Sequence, residues 1–275
     1  MSSVVLVWWI TISILSVTNI GLWIYSATLF ARRRASMHPN IYVWRRIILW
    51  LSGIYVLGCA FRSFLPRIDL ERICLVNSWF SSMIVGRSVA TIAELSFIVQ
   101  CAILLREAGK AAENRFAVIV SLALIPLIFI AEGFSWYAVI STDYLGSVVE
   151  ESLWTLSGAL LLASFISLWP QVNGMQRHFL TAMIVFGIGF VVFMLTVDVP
   201  MYWSRWQVDA AAGSEYFSFR QGIVDSAKRC LVSFDWNHWR VEIPWMTLYF
   251  TVAVWVSIYL THAPNFIIAG NRYSK

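Results

Sequence analysis

Seven stretches of this chain are each long and apolar enough to cross a lipid bilayer, and that decides most of what it can fold into. A spanning α-helix needs about 20 mostly apolar residues. Such stretches fall at roughly 3–30, 42–64, 76–105, 116–140, 148–169, 178–203 and 241–262, which leaves no sizeable soluble domain. Inside hydrocarbon every backbone polar group must find a partner within the protein, so open sheets and loops are excluded. The expected fold is therefore an all-α integral membrane protein, one seven-helix transmembrane domain over residues 1–275. Of those residues 59% are hydrophobic and only 13% charged, and the mean hydropathy is +0.71, values foreign to an ordinary soluble domain.

Charge asymmetry sets an expected orientation. The first apolar stretch has no basic residue before it and is followed at once by "ARRR" (residues 31–34), so it reads as an uncleaved first helix with its N-terminus outside. Arg32, Arg33, Arg34, Arg45 and Arg46 then lie in or beside the first cytoplasmic loop. Arg106, Lys110 and Arg115 lie in the second, Arg177 in the third, and Arg272 and Lys275 in a cytoplasmic tail. The net charge of +5 and the pI near 9.2 thus belong to flanks that face anionic lipid, and nucleic acid is not an expected partner. A multi-pass protein of a plasma or bacterial inner membrane is the expected setting.

The four cysteines divide by depth. Cys59 and Cys101 sit within spans and read as small apolar fillers. Cys74 and Cys230 fall on the outer side, where an oxidising compartment could join them, although spacing alone does not fix a pairing. Residues 204–240 form the one long connection. Ile223, Ala227, Cys230, Leu231 and Phe234 recur there at helical spacing, which predicts a short amphipathic helix over the outer end, either as ordered packing or as a lid. Most of the fifteen tryptophans fall near the expected membrane boundaries, as an interfacial belt requires.

Polar residues within the apolar stretches carry the functional signal. "GRSVATIAELSFIVQ" (residues 86–100) places Arg87, Thr91 and Glu94 on one helix face. Counted back from Arg106 at 1.5 Å per residue, Glu94 lies roughly 18 Å and Arg87 roughly 28 Å into the membrane. An ionised side chain at that depth costs about 2.5–3.5 kcal/mol or more, so it faces the bundle interior and needs partners. Arg62, Glu132, Glu151, Asp198 and Glu242 are expected at the outer level with Arg87, above Glu94, joined by Trp136, Tyr202 and Tyr249. Two arginines cannot neutralise five carboxylates, which predicts an outward-opening cavity with Glu94 at its floor. Glu150 and Asp143 read instead as solvated boundary acids.

Several chemistries lack their residues. Span seven has no lysine for retinal, no histidine pair stands at depth for haem, and neither H-E-x-x-H nor G-x-S-x-G occurs. His38, His178 and His262 fall at the inner edges and His238 in the outer loop, so a zinc site is not expected. An oxygen-only cation site from Glu132, Glu151, Asp198 and Glu242 remains open, and no cofactor is implied. The leading expectation is a membrane-embedded enzyme doing carboxyl acid–base chemistry on a lipidic or isoprenoid-like substrate. Glu94, Asp198 and Glu132 would be its catalytic carboxyls, and Arg87, Arg62, Glu151, Glu242, Trp136, Tyr202 and Tyr249 would hold the substrate. The alternatives are a seven-helix receptor or a subunit of a homo-oligomer or membrane complex, and a proton- or cation-coupled transporter or channel.

Overall fold

A computed structural model describes residues 2–37 and 39–266; His38, Arg272 and Lys275 lie outside the described residues. The chain runs α1 (Ser3–Arg32), α2 (Pro39–Phe64), β1 (Arg67–Ile68), β2 (Ile73–Cys74), α3 (Met83–Ala111), α4 (Arg115–Ser141) and α5 (Tyr144–Leu168). It continues with α6 (Gly174–Phe193), a π-helical turn (Met194–Asp198), α7 (Val199–Ala212), α8 (Phe219–Ser226) and β3 (Leu231–Val232). It ends with α9 (Trp236–Trp239), α10 (Ile243–Phe250) and α11 (Val252–Leu260). Among the described residues, seven helical stretches are long and apolar enough to cross a membrane.

Local chemistry sets the boundaries. Asn114 caps α4 by accepting from the Ala117 N–H at 3.0 Å, and Asp143 caps α5 by accepting from Leu145 at 2.9 Å. Between them Thr142, with φ of +64°, turns the chain in the left-handed region. Gly213, with φ of +66°, stops α7. Several expected limits move accordingly. The third stretch begins at Met83 rather than 76, because residues 67–74 fold back as a β1–β2 hairpin and Trp79–Ser81 form a 3-10 turn. The fifth begins at Tyr144. The sixth extends unbroken from Gly174 to Ala212, so the long connection starts about nine residues later than its sequence suggests.

The seventh stretch is broken. Thr251 departs from helical geometry with φ −120° and ψ −76°, two turns beyond Pro244, and separates α10 from α11. The carbonyl of Phe250 accepts instead from Asn19 Nδ2 at 3.0 Å, and Trp255 donates to Asn19 Oδ1 at 2.9 Å. A broken helix is tolerated in an apolar bundle only where side chains satisfy the freed backbone in this way.

The long connection is tied to the bundle by a strand pair, a disulfide and an ion pair. Its helix α8 ends at Ser226, and residues beyond it extend so that β3 pairs in parallel with β2. Cys230 is joined to Cys74 by a disulfide, which takes Cys230 and Leu231 out of the expected helix. Arg72 ties the hairpin to α8 through Asp225 at 2.8 Å and to α4 through the Val139 carbonyl at 2.7 Å. Gly222 presses α8 onto α4 so closely that a Cβ there would lie 1.9 Å from the Ile140 carbonyl oxygen.

Successive helices from α1 to α6 pack in chain order, and α11 returns to pack on α1, α2 and α3. Helix α6 rests on α5 and makes little contact with α10 or α11. The facing walls are joined at their ends. Arg205 in α7 pairs with Glu242 at 2.7 Å, and Gln176 donates to the Asn265 carbonyl at 2.6 Å beside a stacked Phe179–Tyr259 pair. Between these ties the two walls face each other across a gap.

Candidate functional site

That gap opens on a cavity of about 440 Å³ running along the bundle between α3, α5, α6 and α10–α11. On α3 its lining extends from Arg87 to Ala108, roughly 32 Å of helix and close to the thickness of a bilayer core. The end nearest the disulfide is polar, with Arg62, Arg67, Asp69, Arg87, Glu94, Glu150, Glu151, Asp198, Arg205 and Glu242 on its wall. The rest is apolar, lined by such residues as Phe97, Leu104, Leu161, Phe165, Phe190 and Val256. Gly158 makes room in this slot, since a Cβ there would fall 2.6 Å from the Phe190 ring. Residues 206–241 contribute nothing to the lining; Ile68, Asp69 and Leu70 of the β1–β2 hairpin close the polar end.

The expected acids and bases gather into two clusters. In the first, Arg87 donates to Glu94, to Glu132 at 2.9 Å and to Glu150 at 3.3 Å. Glu94 also accepts from the Tyr249 hydroxyl at 2.8 Å and pairs with Arg62 at 3.5 Å. Thr91 donates to Glu132 at 2.6 Å while accepting from Trp136 at 3.1 Å. Arg62 lies 5.3 Å from the Tyr249 ring centroid and 5.9 Å from that of Trp245, so aromatic faces share its charge. Arg87, Glu94, Glu132 and Glu150 are all at most 7% exposed. Glu150 is thus a buried member of this network, not a solvated boundary acid. Asp143 is likewise buried, held by its cap and by the Tyr137 hydroxyl at 3.0 Å.

The second cluster lies across the cavity on α5, α7 and α10. Glu242 accepts from Trp245 Nε1 at 2.6 Å and pairs with Arg205. Arg205 lies over the rings of Tyr144 and Tyr202 and reaches Glu71 of the hairpin at 3.7 Å, where Tyr144 also donates at 3.3 Å. Asp198 ends the π-helical turn, a distortion that often marks functional positions in helices. Its carboxyl lies within hydrogen-bonding reach of Glu151, and neither forms an ion pair with an arginine among the described residues. Burial raises the Glu242 carboxyl above the ordinary carboxylate range, although Arg205 pulls it back down.

Of the ten residues singled out from the sequence, eight line the cavity. Glu132 and Trp136 stand behind its wall. The four acids proposed as an oxygen-only cation site are divided between the clusters, and no three His, Cys, Asp or Glu side chains among the described residues are grouped to hold a metal ion. Arg67, Asp69 and Arg205 also line the polar end, although all three fall outside the seven apolar stretches and none was singled out from the sequence. Arg205 could have been found, because it stands one turn beyond Tyr202 on an extended helix.

No protein-family model, curated protein or solved structure gives a significant match to this chain.

Proposed function

We propose that this is a multi-pass membrane enzyme that admits an amphipathic, lipid-like molecule into the cavity and performs carboxyl acid–base chemistry on its polar end. One observation carries the reading: a single cavity is apolar along most of its length and densely ionisable at one end, which is the shape of an amphiphile. The gap between α6 and α10–α11 gives an apolar molecule a route from the side. Orientation follows from the covalent chemistry and the charges. The disulfide favours an oxidising, outer compartment for the polar end, and the Arg32–Arg34 end faces the cytoplasm.

Geometry divides the chemical roles. Glu94 accepts from Arg87, Arg62 and Tyr249, a set that holds it as a carboxylate and suits it to position rather than to give up a proton. The Glu151–Asp198 pair is the better acid–base candidate. Two carboxyls at hydrogen-bonding distance in a poorly solvated wall share a proton, and such a pair can give it to a substrate and recover it. Glu151, which is partly accessible, and Asp198 are proposed to work as one proton-sharing pair.

The test compares organic extracts of the detergent-purified wild type and Asp198→Asn by mass spectrometry. Accumulation of one lipid in the variant and of a chemically altered form in the wild type is the expected result. The same lipid in both would leave a binding protein without turnover, and no lipid in either would remove the reading.

A further inference from the structure

Resting on the amphiphile reading, we infer that the polar end holds an oxyanion site on Arg67, which takes the phosphate of a single-chain alkyl phosphate. Arg67 is 2% exposed and lines the cavity. Its Nε donates to Asp69 at 2.9 Å, which fixes the plane of the guanidinium. Neither Nη1 nor Nη2 has an acceptor among the described residues. A buried guanidinium edge without acceptors is costly, and this is the edge that matches two oxygens of one phosphate.

The surroundings preserve that edge. Gly86, in the first turn of α3, lets the guanidinium lie against the helix: a Cβ there would fall 1.3 Å from Arg67 Cζ and 1.6 Å from Nη2. The positive end of the α3 dipole therefore lies beside the guanidinium and adds to the attraction for an anion. Arg62 and Arg87 are near enough that their charges act on Arg67. Burial lowers its pKa to about 10, with Asp69 opposing the shift, so it stays charged at neutral pH. Phosphate suits the place better than a carboxylate, because its larger negative charge meets the combined field of Arg67, Arg62 and Arg87. The hydrocarbon chain would then enter the slot below.

Native mass spectrometry of the full chain in detergent, with dodecyl phosphate, dodecanol and inorganic phosphate as probes, tests the site. Wild type is expected to bind dodecyl phosphate at least about tenfold more tightly than dodecanol, the worth of one charge-assisted hydrogen-bond pair. Arg67→Gln should erase that preference. Gly86→Ala, which displaces the guanidinium without removing a charge, should erase it too, so misfolding of one variant does not decide the result. Equal affinity for dodecyl phosphate and dodecanol in wild type would overturn the oxyanion site and leave the amphiphile cavity standing. Binding of neither alkyl probe would overturn both. Inorganic phosphate binding as tightly as dodecyl phosphate, and depending on Arg67, would support the oxyanion site and assign it to free phosphate.

Discussion

The two polar clusters facing each other across the cavity are built from the same residue types and are in opposite states. Around Arg87 the ion pairing is dense: one guanidinium holds Glu94, Glu132 and Glu150, and Arg62, Tyr249 and Thr91 add to it, leaving Arg87 Nε and Glu132 Oε1 without partners. Around Asp198 the matching stops at Glu242, which has Arg205 and Trp245, while Glu151 and Asp198 have chiefly each other. Carboxyls densely paired with arginine in a low-dielectric interior fix helix positions and resist change. Unsaturated carboxyls facing a cavity can exchange protons with what enters it. The first cluster is accordingly read as the frame and the second as the working face.

Breaking the frame should have the largest effect. Arg87→Met strands three carboxyls at once, and removal of one partner from a buried ion pair typically costs about 3–5 kcal/mol. A thermal melt in detergent should show the chain aggregating or melting far below wild type. A milder cut is Glu132→Gln, which keeps the shape but exchanges one carboxyl oxygen facing Arg87 and Thr91 for an amide. A loss of about 1–3 kcal/mol is expected in the same melt.

On the working face the order reverses. Asp198→Asn and Glu151→Gln should each shift stability by less than about 1 kcal/mol, because no cation is left unpaired, while abolishing the proposed turnover of a lipid-like substrate. A large melting-temperature drop in either would place these acids in the frame and erase the contrast.

The smallest effect is a control from the opposite end of the bundle. His262 is partly buried and bonded to Ser26 at 2.6 Å, and burial together with Arg33 lowers its pKa below the ordinary 6.5. The unfolded chain then binds the proton more readily, so this residue's contribution is intact above pH 6.5 and is lost as pH falls from there towards the folded-state value. His262→Gln should flatten that part of the stability curve without changing the effect of either cluster.

Much of this organisation was legible in the sequence. Arg62, Glu151, Asp198 and Glu242, towards the ends of their runs, were singled out by their common outer level, whereas Arg87, Glu94 and Glu132, charges deep inside apolar runs with few places to go, identified themselves. Glu150 and Arg205 did not, because they stand near the ends of apolar runs, where a charge is normally solvated. Only packing shows that the β1–β2 hairpin buries that level. Arg67 was hidden for the same reason, since its burial depends on a glycine nineteen residues away that exposes a helix face. The π-helical turn before Asp198 and the break at Thr251 have no strong local signal: Pro200 and Pro244 each stand near one but not at it. The parallel pairing of β2 with β3 joins segments far apart in the chain, so local periodicity instead suggested a continuous helix through Cys230.

The central claim is that an amphiphile lies with its chain in the slot between α6 and α10–α11. Photolabelling tests it directly: an alkyl phosphate carrying a mid-chain diazirine is irradiated with the purified protein, and the modified residues are mapped by mass spectrometry. Labels are expected on Phe190, Leu161 and Val256, lost in Ala253→Trp, which fills the slot. Labels confined to outward-facing residues such as Val7 and Ile14 of α1, and unchanged in Ala253→Trp, would contradict it.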